Sequence, residues 1–260
     1  MTTSSGAKRA VRLRAIMVLA AIGVAAGSAA SAADRVADAV QAMQAASMGA
    51  LTTTRSPITG LVSFVAAERG RSIASAGDAA RSAADRALDF VEAYGGAFGL
   101  GGRTDVSVTS ASAPDEVGVE HVRLRQLHRG VPVTGGELTV HVGPDGARAV
   151  LAKTIAVPAE LAITPRIGAD EARSVVRELL AKHGGVTDAT LSTPRLEILK
   201  RAILDRATYP PRLAWFVEAR GAELREYVWI DAQTGSRLHQ WSQLEHARNR
   251  KVYTASSGPT

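Results

Sequence analysis

HVRLRQLHRGVPVTGGELTVHV, residues 121–142, is the stretch from which the fold of this chain can be read. It reads as two strands around a tight connection. Before the connection, Val122 and Leu124 alternate with His121, Arg123 and Arg125. After it, Leu138, Val140 and Val142 alternate with Glu137, Thr139 and His141. A period of two with one apolar and one polar face is the pattern of an antiparallel sheet with one wet side. The strands run over 118–128 and 131–142. Neighbours are expected at 105–110 and 147–156, the latter joined through the hairpin turn Gly143-Pro144-Asp145-Gly146.

Outward from this meander, residues 78–94 read as a helix. Ala80, Ala83, Ala84, Ala87, Leu88 and Val91 recur at helical spacing, Asp78 is placed to cap it, and Gly95-Gly96 ends it before the core candidates Phe98 and Leu100. The clearest helix is 169–183. Ala172, Val175, Val176, Leu179 and Leu180 form one apolar stripe, Asp170 and Glu171 sit in the first turn, and Lys182 and His183 in the last, which suits the helix dipole; Gly184 is the expected cap. Strands follow near 195–200, 213–220, 225–231 and 236–244, the last pair turned by Gln233-Thr234-Gly235. A helix followed by a strand meander thus occurs twice. The expected fold class is α+β, in two units, each a helix packed on an antiparallel β-meander, with no residue-level repeat between them. Residues 56–68 look like a turn feeding a strand. Residues 33–55, rich in Ala, Gln, Met, Thr and Ser, suit either a loose helix or a disordered stretch, and no element is assigned to them.

The first 14 residues carry Lys8, Arg9, Arg12 and Arg14 and no acid. An apolar run follows from Ala15, then small residues with Ala30-Ser31-Ala32 as an A-x-A site. This is the layout of a secretory signal peptide over 1–32; the apolar run is too short to span a bilayer, which takes about 20 residues. The net charge of +6 includes the four basic residues of this head, so the remainder carries about +2. No dense basic stripe with interleaved aromatics remains to bind nucleic acid. With 0 cysteines the chain has no disulfide, no thiol nucleophile and no thiolate ligand, so its core must hold it together.

A search for catalytic constellations finds none. The residues after the six histidines are Val122, Arg129, Val142, Gly184, Gln240 and Ala247, so neither H-E-x-x-H nor H-x-x-x-H occurs. His121 and His128, seven apart on one strand, fall on opposite faces. G-x-S-x-G is absent. Gly99-Leu100-Gly101-Gly102 follows a helix and lacks the Lys-Ser/Thr ending of a phosphate loop, so it reads as a turn. Glu218 and Glu226 on neighbouring strands could be paired carboxylates, but wet-face glutamates are the plainer reading. Trp215, Trp229 and Trp241 read as sheet packing.

The opening stretch nevertheless resembles a known signature, that of the fungalysin/thermolysin propeptide. The positions that match are His121, Val122, Arg123, Gln126, Gly130, Val131, Pro132, Val133, Gly135, Glu137, Leu138, Val140 and His141; Leu124 stands for an aromatic and Arg125 for a glutamine. ALDFVEAYGGAFGL, 87–100, is similar to the helix before that signature. ADEARSVVRELLAKHGG looks like the helix of the PepSY-type module that follows it, and PRLAWFVEAR with residues 226–258 resembles the closing strands and the junction to the mature enzyme. The resemblance implies a propeptide domain over 56–157, a PepSY-type domain over 158–245, and a junction at 246–260. It implies the pro-region of a secreted thermolysin-like zinc metalloendopeptidase precursor, acting as intramolecular chaperone and inhibitor of its cognate catalytic domain. That domain is missing from this sequence, so the runner-up is a stand-alone secreted inhibitor or chaperone acting in trans. No catalytic, cofactor-binding or metal residue is expected here; zinc, with or without calcium, belongs to the catalytic domain. Arg248, Asn249, Arg250 and Lys251 are the candidate protease-contacting or processing residues.

Overall fold

A computed structural model of the protein describes Met1 and residues 32–47, 49–74, 80–200 and 209–244. The chain divides into Met1–Ala30 and a compact unit, Ser31–Thr260, that holds all the elements. In chain order these are α1 (Ala32–Ala46), β1 (Leu51–Arg55), β2 (Val62–Ala67), α2 (Ala83–Tyr94), β3 (Val106–Ala111), β4 (Glu120–His128), β5 (Val131–Gly143) and β6 (Gly146–Lys153). Then come α3 (Ala169–Gly184), β7 (Thr190–Leu191), β8 (Arg195–Leu199), β9 (Arg212–Gly221), β10 (Leu224–Asp231) and β11 (Arg237–Ser242). The fold is α+β. One sheet runs in the order β1-β2-β6-β5-β8-β9-β10-β11, with β3-β4 joined to β5 and β7 to β9. Every strand pair is antiparallel except β5 with β8, which meet in parallel at Val133 and Ile198.

The helices pack as their stripes dictate. α2 starts at Ser82, whose side chain accepts from the Asp85 amide. Asp78, the cap expected from the sequence, lies outside the described residues. Ala87, Phe90, Val91 and Tyr94 enter one apolar cluster with Val122, Leu124, Leu138, Val140 and Val150 of the meander. On α3, Ala172, Val176 and Leu180 pack on Val217, Ala219, Val228 and Ile230. α3 runs one residue further than expected: its left-handed cap is Gly185 at φ 63°, not Gly184.

The N-terminal stretch is more ordered than its composition suggests. Val36 and Met43 are buried, and Val40 is half-buried against the same cluster, so α1 has a narrow apolar stripe at helical spacing. Alanine on the flanking positions hides this stripe from a reading of composition. No helix among the described residues is long and apolar enough to cross a membrane. The signal-peptide reading, apart from Met1 and Ala32, and the junction residues Arg248, Asn249, Arg250 and Lys251 lie outside the described residues.

Candidate functional site

The site is built around the signature hairpin. β4 and β5 are joined by the two-residue loop Arg129-Gly130, with φ of 49° and 86°. Two consecutive positive φ values make a type I′ turn, whose twist matches that of the flanking strands. Near the loop, Leu127 faces Pro132 and His128 faces Val131. Further along, Arg125 faces Glu137 and Leu124 faces Leu138. Between these registers only Gln126 lies on β4, against Val133, Thr134, Gly135 and Gly136 on β5. This wide bulge, bent at Gly135 (φ 67°), takes β5 out of its pairing with β4. Pro132, which has no N–H to donate, sits at its start. The freed backbone at Val133 pairs with Ile198 of β8, so the signature PVTGG is what joins the β1–β6 strands to the β7–β11 strands in one sheet.

Gln126 fills the inside of the bulge. It is 2% exposed; its Nε2 donates to the Ile155 carbonyl at 2.7 Å and its Oε1 accepts from the Ile155 amide at 3.1 Å. A Cβ on residue 136 would stand 2.8 Å from both Cβ and Oε1 of Gln126, so glycine is required there by space. Thr134 Oγ1 donates to Glu197 Oε2 at 2.8 Å, tying the bulge to β8.

The bulge forms one wall of a cleft of about 390 Å³. Its other wall is the face of β9 and β10 turned away from α3, where Phe216 and Trp229 are buried and Tyr227 is half-buried. Phe216 lies tilted against Trp229 with ring centres 5.0 Å apart and edge to face with Tyr227 at 5.2 Å, and the Arg195 guanidinium lies 4.7 Å over Phe216. Two of the carboxylates at the rim, Glu197 and Glu218, are bound by arginines. Glu218 accepts from Arg220 at 2.8 Å and from Arg225 at 3.2 Å, and Glu197 from Arg195 at 3.0 Å. The hydrogen bond from Arg220, then that from Arg225, holds the Glu218 carboxyl below the usual range against the opposing effect of burial. Arg220 is raised in turn by Glu218. Glu218 and Glu226 therefore do not make an acid/base pair: Glu218 is bound to arginines. This wall suits recognition, with aromatics at its centre and charged groups at its rim.

On the wet face of the hairpin, His121 stands directly opposite His141, with their Nδ1 atoms 2.7 Å apart and the rings edge to face. Asp115 Oδ2 lies 3.6 Å from His121 Nε2. Burial first, then His121, lowers the His141 pKa, and Asp115 opposes them. Reading the strand alternation separates His121 from His128 but misses this meeting, because the turn alone would set His121 against Leu138. The signal was available: Val122 and Leu124 can share a face with Leu138, Val140 and Val142 only if the two strands differ by an odd number of residues.

The three tryptophans differ in environment. Trp229 is buried, Trp215 is half-buried and donates to the Ile167 carbonyl at 3.0 Å, and Trp241 is exposed on β11. Gly99 caps a 3₁₀ turn at φ 71°. Among the described residues no group of three or more His, Asp or Glu side chains could hold a metal.

Residues 108–148, from β3 into β6, match the family described as Fungalysin/Thermolysin Propeptide Motif. The chain is 31% identical over 161 residues to thermolysin of Alicyclobacillus acidocaldarius subsp. acidocaldarius, covering 58% of this chain and 28% of that protein. The figures are the same for thermolysin of Bacillus caldolyticus and of Bacillus sp. (strain EA1). The chain thus spans under a third of the length of these curated relatives. Among solved structures, the Bacillus megaterium YpeB C-terminal domain superposes with a TM-score of 0.33 at 11% identity, over 79% of this chain and 96% of that one, a likeness too distant to establish a shared fold.

Proposed function

Starting from a chain that carries a fungalysin/thermolysin propeptide motif and is similar to thermolysins, we propose that it is the pro-region of a secreted thermolysin-like zinc metalloendopeptidase precursor. It assists folding of the catalytic domain and inhibits it, and catalyses nothing itself. The observation that carries this reading is the coincidence of the matched motif, 108–148, with the hairpin and bulge that organise the sheet. A partner that binds only the folded enzyme stabilises it by mass action and can cover its cleft. The reading divides the chain into a propeptide module over 56–157 and a PepSY-type module over 158–245. It is supported by α2 and α3 each packing into a separate apolar cluster. Export by a signal peptide over 1–32 and contact or processing at Arg248, Asn249, Arg250 and Lys251 belong to the same proposal. So does the restriction of zinc to the catalytic domain.

The test uses thermolysin of Bacillus caldolyticus, unfolded in guanidinium and refolded with and without the purified chain. The chain should raise the yield of active enzyme and inhibit folded thermolysin in a time-dependent way. If a folded chain does neither, the reading fails. Deletion of 246–260 should weaken inhibition; inhibition that survives the deletion removes the junction residues from the role. The runner-up, a stand-alone inhibitor or chaperone acting in trans, predicts the same assay result. Reading the DNA beyond the Thr260 codon separates the two: an H-E-x-x-H in frame marks a precursor.

A further inference from the structure

We propose that His121 and His141 form an acid-sensitive latch across β4 and β5, which holds through the first added proton and opens on the second. The inference concerns the fold of this chain and stands whether or not the propeptide reading does. Two imidazole Nδ1 atoms at 2.7 Å can be joined only if one carries a proton and the other a lone pair. Asp115 beside His121 Nε2 favours a proton there, which leaves His121 Nδ1 as the acceptor and His141 Nδ1–H as the donor. Adding one proton keeps a hydrogen bond but reverses it: with the charge on His121, beside Asp115, His121 Nδ1–H donates and His141 Nδ1 accepts, its own proton moved to Nε2. Adding a second puts N–H on both facing nitrogens. The hydrogen bond is lost and two cations face each other.

The surroundings do not absorb that second charge. From the β3–β4 loop the facing group is Asp115, already accepting from the Val117 and Val119 amides through Oδ1. On β4 the next residue of the wet face is Arg123, paired with Thr139 of β5. On β6, Ala149 stands opposite His141, and Arg148 lies against Gly143 at the bulge. Asp115 is thus the carboxylate that stands beside the pair. The loop hangs on His121: the Ser112 amide donates to the His121 carbonyl and the His121 amide to Ser112 Oγ. Opening the latch thus loosens the end of the hairpin and the loop from Ser112 to Val119.

The direction of the pH effect follows. His141 is held below its ordinary 6.5, so the neutral form is favoured by folding. The stability it contributes is fully present above about pH 6.5 and is lost as the pH falls through the lowered folded value.

The experiment is a histidine-ring NMR titration of the full chain, with urea unfolding from pH 8 to 4.5, on the wild type, His141→Gln and His121→Gln. In the wild type the His141 ring should titrate to the acid side of an ordinary histidine, and the ring signals of His121 should move with that step. Below pH 6.5 the wild-type unfolding constant should rise more steeply than that of either variant, by up to about tenfold per pH unit for one proton. Rings that titrate independently at ordinary midpoints, or unfolding curves that run parallel in wild type and variants, overturn the proposal. The wild-type titration decides it even if a variant fails to fold.

Discussion

Truncating Gln126 to alanine tests most directly how the signature works. Its amide closes two hydrogen bonds on Ile155, a residue with no exposed surface. Removing the amide strands a backbone N–H and a C=O away from water. At about 1–3 kcal/mol for each orphaned group, the loss is roughly 2–6 kcal/mol, with more for the cavity. Gln126→Leu, which keeps most of the volume, should still lose roughly 2–4 kcal/mol, because the orphans and not the packing dominate. Gly136→Ala forces a methyl to within 2.8 Å of Gln126 and should cost about 1–3 kcal/mol. In the double variant that methyl loses its clash with Oε1 but keeps the one with the Cβ of residue 126. The double variant should therefore lose less stability than the two single losses added together, by more than about 0.5 kcal/mol. The assay is urea unfolding followed by tryptophan fluorescence. A loss below about 1 kcal/mol for Gln126→Ala, or additive effects in the cycle, would refute the account of a lock inside the bulge.

Other substitutions probe separate parts of the argument. Arg129→Asn should stabilise the chain by about 0.5–1 kcal/mol, since asparagine accepts the left-handed conformation that Arg129 adopts at φ 49°; a destabilised variant in the same unfolding assay would exclude the type I′ account. Asp231→Ala should cost roughly 1–3 kcal/mol, because Asp231 is 1% exposed and accepts from the Gln233 and Thr234 amides, which lose their partner, while Arg212, 3.1 Å away, is over half exposed and returns to water. An unchanged urea midpoint would show that the turn holds without it. Ser82→Ala removes the cap of α2 and should cost about 1 kcal/mol, measurable by thermal unfolding. Glu218 is held below its ordinary 4.5 by Arg220 and Arg225, so its contribution is present above that pH and lost as the pH falls through the lowered value. Glu218→Gln should therefore flatten the acid limb of the stability curve, and an identical limb would mean that the arginines leave the carboxylate unaffected.

Much was legible in the residues themselves. The alternation of Val122 and Leu124 with charged residues, and the stripe Ala172, Val176 and Leu180, are local periodicities that report burial directly, and the structure places both as expected. The signature likewise pointed to the family matched by residues 108–148. α1 was missed because Val36, Val40 and Met43 are thinly spread among alanines, and a helix this short is stable only through the cluster it packs on.

What the sequence by itself determined is α2, α3 and the longer strands, with their buried faces, and the motif of the hairpin, since these depend on spacing along the chain. Only the tertiary structure decided where those elements meet: that β5 leaves β4 at the bulge to pair with β8, that Gln126 closes on Ile155, and that His121 faces His141. Each of these contacts joins residues 20 to 65 positions apart. Their register depends on how many residues the bulge absorbs, a number set by the room that Gly136 leaves for one glutamine and by the core that both strands must share.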